Sequence, residues 1–565
     1  MLGELGRRIA AFLVGAAACV AACGRTGLLT ADLQKDDEVL YDIELLNRDA
    51  FQKVDLLFVV DNSISMTDKQ LLFADAVPTL LRRLISPQCL DENGNPTGAF
   101  SPCPAGTAEF RAIDDIHVGV VTSSLGDHGS DICRPDPEDA TPRMLNDRAE
   151  LLPAVRNGLY SYDATGFLVW DPRSPRPFPD PHPRVSEHEA RLSDFIGDFA
   201  SHVRAAGERG CGYEATLEAW YRFLVDPAPV AEMTTDGVSS VRGPVNPVVL
   251  EQRARFLRPD SLVAVVVLTD ENDCSIVDED GGQGWLVARR FPMPRATSQC
   301  AAPSTRSSSC CRPCGVEIEG CPRSASDSEC LKGTVLTDVE DSTNLRCFRQ
   351  RQRFGVDLLY PAKRYVDALT RPTLSRGPKV DGVVPNPLFA PGADGTPSRE
   401  GRAFLVGIVG VPWQDIADPS SFDGRALRYM DIDEFSATLP NRWDVILGDP
   451  ASGVEPGDPF MIESVDERRG ANPVTGDRVQ PSTPGGLSNP INGHEQAVQN
   501  LDDIQYACTF ALPQPLPCTM ENQDGCDCNV SEYPYSRSIC QYQSPAFDGL
   551  QTGARRTPDF AKSRS

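Results

Sequence analysis

The chain has 565 residues, and its 80 acidic against 54 basic side chains give a formal net charge of −26. That balance argues against nucleic acid as a partner and against electrostatic docking on anionic lipid. The 48 prolines and 45 glycines are spread through the length, which predicts one core carrying long insertions rather than several compact domains.

At the N-terminus, Arg7 and Arg8 precede a short apolar stretch, Ile9 to Val20, and then Val20-Ala21-Ala22-Cys23. The stretch is too short and too alanine-rich for a good spanning helix. The pattern resembles a bacterial lipoprotein signal, which implies removal of residues 1–22 and acylation of Cys23. Several acyl chains on one residue would hold the protein lastingly on a membrane. Gly24 after the cysteine implies the outer membrane of a Gram-negative bacterium, and residues 23–50 are expected to form a polar, lipid-anchored tether. Setting aside Cys19 in the signal and Cys23, seventeen of the 19 cysteines remain. In an exported chain they predict disulfides and leave at least one thiol without an intramolecular partner. Cys89 and Cys103, flanking a short polar insertion, are the expected pair. Cys311 and Cys314 have zinc-ligand spacing, but export favours disulfides there too.

The first core strand is Val54 to Val60, whose apolar run Leu56 to Val60 is followed by Asp61-Asn62-Ser63-Ile64-Ser65. Such a run suits a strand buried on both faces of a parallel sheet, and ligands of open α/β sheets bind off the carboxyl ends of these strands. One carboxylate and two hydroxyls at period two can face a common point, and hard oxygen donors suit Mg²⁺, Mn²⁺ or Ca²⁺. A helix is predicted from about Asp68 to Ile85, with Thr67 and Gln70 as a capping box and Leu72, Ala76, Leu80, Leu81 and Leu84 as its buried stripe. A strand follows at Ile116 to Thr122, then a short strand at Gly166 to Trp170 and a proline-dense loop, Pro172 to Pro183. Ser186 and Glu189 open a helix whose stripe is Leu192, Phe195, Ile196, Phe199 and Val203. After Gly210-Cys211-Gly212-Tyr213-Glu214 comes a helix, Ala215 to Leu224. The apolar run Leu262 to Leu268 then ends in Thr269-Asp270. Acidic residues crowd the loop beyond it, Glu271 to Asp280, and are expected to be solvated or to add contacts around a cation. A helix, Arg351 to Leu369, and a strand, Ala403 to Val411, complete the core.

The Asp-x-Ser-x-Ser pattern of Asp61, Ser63 and Ser65, with Asp270 ending a second buried strand, resembles the metal-ion-dependent adhesion site (MIDAS) of von Willebrand factor type A (VWFA) domains. The resemblance covers about Asp55 to Val411. It implies an α/β, Rossmann-like fold with a mostly parallel central sheet flanked by helices, here over residues 51–411, with disulfide-rich insertions at about 86–112, 125–185 and 274–347. It makes Gly166 to Trp170 an antiparallel edge strand. It also implies metal ligation by Asp61, Ser63, Ser65 and Asp270, with one coordination position left for an acidic group on a protein partner. The family's metal-binding threonine falls on Glu214, with Thr216 as the alternative. Glu214 would add negative charge and favour Ca²⁺, or else merely cap the helix that follows. Residues 412–548 are expected to form a cysteine-containing C-terminal extension, and 549–565 a disordered tail.

The function implied is a cell-envelope binding or adhesion protein. The alternative is an interaction lipoprotein whose metal site only stabilises the fold and whose partner binds the cysteine-rich insertions. His117, His128, His182, His188, His202 and His494 fall into no protease or hydrolase spacing, so no enzyme is expected.

Overall fold

The computed structural model describes residues 53–63, 66–92, 96–134, 144–171, 187–375, 382–389, 391, 402–422, 428–449, 454–466, 468–479, 494–496, 504 and 506–509. The expected signal, Cys23, the tether, Ser65, the 172–183 loop, the C-terminal tail and Cys518, Cys526, Cys528 and Cys540 lie outside the described residues, and Cys508 is described in its backbone only.

Strand β1 (Lys53–Val60) is central, and helix α1 (Thr67–Ile85) follows it. Strand β2 (Asp115–Thr122), edge strand β3 (Leu168–Trp170), helix α2 (Glu187–Ala205), helix α3 (Thr216–Leu224), helix α4 (Pro247–Phe256) and strand β4 (Leu262–Leu268) come next. Two short helices, α5 (Gln350–Phe354) and α6 (Ala362–Thr370), lead to strand β5 (Ala403–Ile408). The sheet order is β5-β4-β1-β2-β3. All pairings are parallel except β2 with β3, so the expected antiparallel edge strand is present.

Alternate residues of β1 serve two cores, as a strand buried on both faces requires. Leu56, Phe58 and Val60 pack with Phe73, Val77 and Leu81 of α1 and with Leu192, Phe199 and Val203 of α2. Leu57 and Val59 face Trp220 and Phe223 of α3, Phe256 of α4 and Tyr365 of α6. Phe58 lies 5.7 Å from Phe73 and 4.6 Å from Phe199, ring centre to ring centre, which ties both helices of one layer to the middle of the sheet.

Three local expectations are corrected. The buried face of α1 is Phe73, Ala74, Val77, Leu80 and Leu81, while Leu72 is 54 % exposed. Leu71, Leu72 and Phe73 are consecutive, so apolar spacing fits either phase; contact with Phe58 selects Phe73. The helix is capped one residue earlier than expected: the N-cap is Met66, without a side-chain cap bond, and Gln70 donates to Asp61 O and Gly207 O, while the Thr67 side chain lies outside the described residues. The single helix expected over Arg351 to Leu369 is two, because Gly355 ends α5 at φ 76° and Pro361 stands just before α6. Left-handed backbone suits glycine and stops a helix.

Six disulfides are formed among the described cysteines: Cys89–Cys103 as expected, with Cys133–Cys211, Cys274–Cys347, Cys300–Cys311, Cys310–Cys321 and Cys314–Cys330. Cys311 and Cys314 thus pair with different cysteines. A satellite core of Tyr213, Ile276, Val287, Met293 and Phe354 joins the cysteine-rich segment to the loop before α3. Among the described residues no helix is long and apolar enough to cross a membrane.

Candidate metal centre

Register places the candidate site. Val60 of β1 pairs with Thr122 of β2 and Leu268 of β4, so the next residue of each strand, Asp61, Ser123 and Thr269, emerges at one carboxyl-terminal rim. The Asp61 amide donates to Leu268 O at 2.9 Å, and the Ser123 amide donates to Val60 O at 3.3 Å. The backbone therefore stays laddered up to the site, and the side chains beyond it are held by a rigid edge.

Asp61 is fully buried. Its Oδ1 accepts from the Ser63 amide at 2.8 Å and from Ser123 Oγ at 3.4 Å, and its Oδ2 accepts from Thr269 Oγ1 at 2.7 Å. Burial first, then the carboxylates of Asp270 and Glu271, push its pKa up to about 7, against the Ser63 and Thr269 hydrogen bonds. Such a raised acid beside other acids marks a point where positive charge is wanted. Asp270 is also buried, and Lys69 Nζ lies 3.2 Å from its Oδ2, the two side chains being 5 % and 3 % exposed.

The loop before α3 closes over the same rim. Asn62 O accepts from the Gly210 amide at 2.8 Å, Asn62 Oδ1 accepts from Ser124 Oγ at 2.8 Å, and Ser124 Oγ accepts from the Cys211 amide at 2.9 Å. A Cβ on Gly210 would lie 2.4 Å from Asn62 Oδ1, so the close approach requires glycine. The Ala215 amide donates to Ser123 O at 2.9 Å. Glu214, one residue earlier, is buried, and its carbonyl accepts from the Cys274 amide at 2.7 Å. Thr216 begins α3 and donates to Asp273 Oδ1 at 3.2 Å, while Asp273 also accepts from the Leu217 amide at 2.9 Å. Asp273 therefore satisfies the start of α3.

Asp61 and Asp270 are brought together by adjacent strands, and Ser63 follows Asp61 at the rim; Ser65 lies outside the described residues. Thr216 is engaged by Asp273. Asp278, expected in a solvated acidic loop, is buried against Arg222 and the Tyr360 hydroxyl. Burial alone would raise its pKa, but Arg222 and Arg242 hold it down to about 2. Sequence reasoning missed Ser123, Ser124 and Lys69. The serines follow an apolar strand and carry the same signal as Asp61, whereas a lysine in the first turn of a helix carries none.

The donors at the rim are carboxylates and hydroxyls, which fit Mg²⁺, Mn²⁺ or Ca²⁺ better than a softer ion. The crowding that raises Asp61 is what a divalent cation would relieve. Among the described residues no group of three or more His, Cys, Asp and Glu side chains is disposed to hold a metal; the donors at this rim include hydroxyls as well. Comparison with protein-family models, curated proteins and solved structures returned no match.

Proposed function

We propose that the chain is a lipid-anchored cell-envelope binding protein with a von Willebrand type A core, which uses a divalent-cation site at this rim to bind an acidic group on a protein partner. The observation that carries the reading is the buried Asp61, raised to about 7 beside Asp270 and Glu271 at the carboxyl edge of the central parallel strand. The order of elements and the antiparallel edge strand β3 support the fold family. Bound there, Mg²⁺, Mn²⁺ or Ca²⁺ supplies a Lewis-acid centre for a partner's carboxylate. Asp61 and Asp270 supply the compensating charge, with Ser63 and Ser65 as further ligands and Glu214 as an added carboxylate. Thr269 and the Ser63 amide orient Asp61, and Gln70 fixes the strand end through Asp61 O. Cys23 provides the membrane link.

Calorimetric titration of the three ions into the full-length protein tests the reading. Micromolar or tighter binding is expected in the wild type and should vanish in Asp61→Ala and Asp270→Ala, with circular dichroism unchanged. A wild type that binds none of the three ions sinks the metal-site reading.

A second reading places the partner on the cysteine-rich segment and leaves the ion only a stabilising role. Phe291 at 70 %, Leu331 at 71 % and Val339 at 86 % exposure favour it, because large apolar side chains this open suit a contact surface. On that reading Phe291→Ser with Leu331→Ser lowers partner binding and Asp61→Ala leaves it intact.

A further inference from the structure

Lys69 stands in the first turn of α1, with its ammonium 3.2 Å from Asp270 Oδ2 and its side chain 5 % exposed. Nothing about the helix calls for a cation there. The first turn is the positive end of the helix dipole, where lysine is disfavoured, and lysine is seldom buried without a partner. The basic residues that suit α1, Arg82 and Arg83, sit in its last turn.

The position is nevertheless firmly held. Gln70, the next residue, donates at 2.8 Å both to Asp61 O and to Gly207 O, and Met66 at the helix start is fully buried. The first turn of α1 is thus pinned to the end of β1, and Lys69 is carried with it to the rim. Asp61 receives its hydrogen bonds from Ser63, Ser123 and Thr269, whereas Asp270 has an ammonium against it.

We propose that Lys69 is a tethered cation that competes with the divalent ion for Asp270, so that it sets the affinity of the site and keeps the rim together when no ion is bound. The inference rests on the metal-site reading above. A monovalent charge fixed within contact distance of a proposed ligand repels an incoming dication and withdraws part of that carboxylate's charge. The wild-type site therefore binds a dication more weakly than the same rim would without the lysine.

The test is calorimetry with Mn²⁺ and Ca²⁺ on full-length wild type and Lys69→Met, which keeps an unbranched chain one atom shorter and loses the charge. Thermal unfolding with and without ion accompanies it, and Lys69→Gln serves as a second variant. Lys69→Met is expected to bind at least tenfold tighter than wild type, to melt lower without ion, and to gain more in melting temperature when ion is added. Equal or weaker binding by both folded variants, with wild type still binding, overturns the role of Lys69 alone. Absence of binding in wild type and both variants overturns the metal site itself, and this proposal with it.

Discussion

One strand carries a buried aspartate at each end, and the two are treated in opposite ways. Asp55, at the start of β1, is fully buried and accepts from the Arg258 amide at 2.9 Å, from Arg258 Nε at 2.8 Å and from Ser261 Oγ. The same guanidinium contacts Asp115 at the start of β2. Asp61, one residue past the other end, is held by hydroxyl and amide donors and has two more carboxylates pressing on it. Burial is common to both, so it is the surrounding charge that separates a side chain that holds the sheet together from one that costs stability. A group kept in a costly state within an otherwise compensated fold is a candidate for binding.

The stable end offers the largest effect. Arg258→Met leaves Asp55 buried without its counter-ion and is expected to cost roughly 3–5 kcal/mol, as removing one partner from a buried pair usually does. Urea unfolding at neutral pH checks it, and a loss under about 1 kcal/mol would mean that Asp55 is not held by this arginine in the way described.

At the other end the sign reverses. Asp61 has a folded pKa of about 7, above its ordinary 3.8. Between those values the folded protein without ion binds more protons than the unfolded chain. Stability contributed at this site is therefore present at low pH and is lost as pH rises through 7. Asp61→Asn should then stabilise the ion-free protein at pH 8, by roughly 4 kcal/mol at most, and the gain should fade towards pH 4. Destabilisation by this substitution at pH 8 would remove the contrast between the two ends.

The smallest expected effect concerns the charged form of Asp61. Thr269→Val deletes the hydroxyl that donates to Asp61 Oδ2 at 2.7 Å. It should cost about 1 kcal/mol at pH 8 and move the Asp61 titration, followed by carboxyl carbon chemical shift, to higher pH. An unmoved midpoint would show that Thr269 does not stabilise that form.

Much of this frame is legible in the residues. Leu56 to Val60, Val118 to Val121 and Leu262 to Leu268 are apolar runs, and only a strand sandwiched between helices can bury all of them. Their polar ends locate the rim without any knowledge of packing, and the short loop between Cys89 and Cys103 suggests that pair. What escapes is set by contacts across the fold. Helix α4 escapes although Asn246 and Pro247 form a cap signal, with Asn246 Oδ1 accepting from the Val248 amide at 2.9 Å; its sequence has only weak apolar periodicity. The phase of α1 depends on Phe58, and the partner of Thr216 depends on Asp273, far along the chain. Lys69 is the extreme case, because four residues after Ser65 a lysine reads as exposed until the opposite strand delivers Asp270.

Gly210 gives this charged rim an uncharged weak point. Its missing side chain is the space in which Asn62 lies, since a Cβ would fall 2.4 Å from Asn62 Oδ1 and 2.7 Å from Asn62 O. One methyl group, far smaller than any ligand and touching none of the site carboxylates, would force the loop away from the end of β1. The Ser124 hydroxyl, which donates to Asn62 and accepts from the Cys211 amide beside Gly210, would lose one partner or the other. Whether the rim stays assembled is therefore decided as much by volume at one position as by the charges gathered around it.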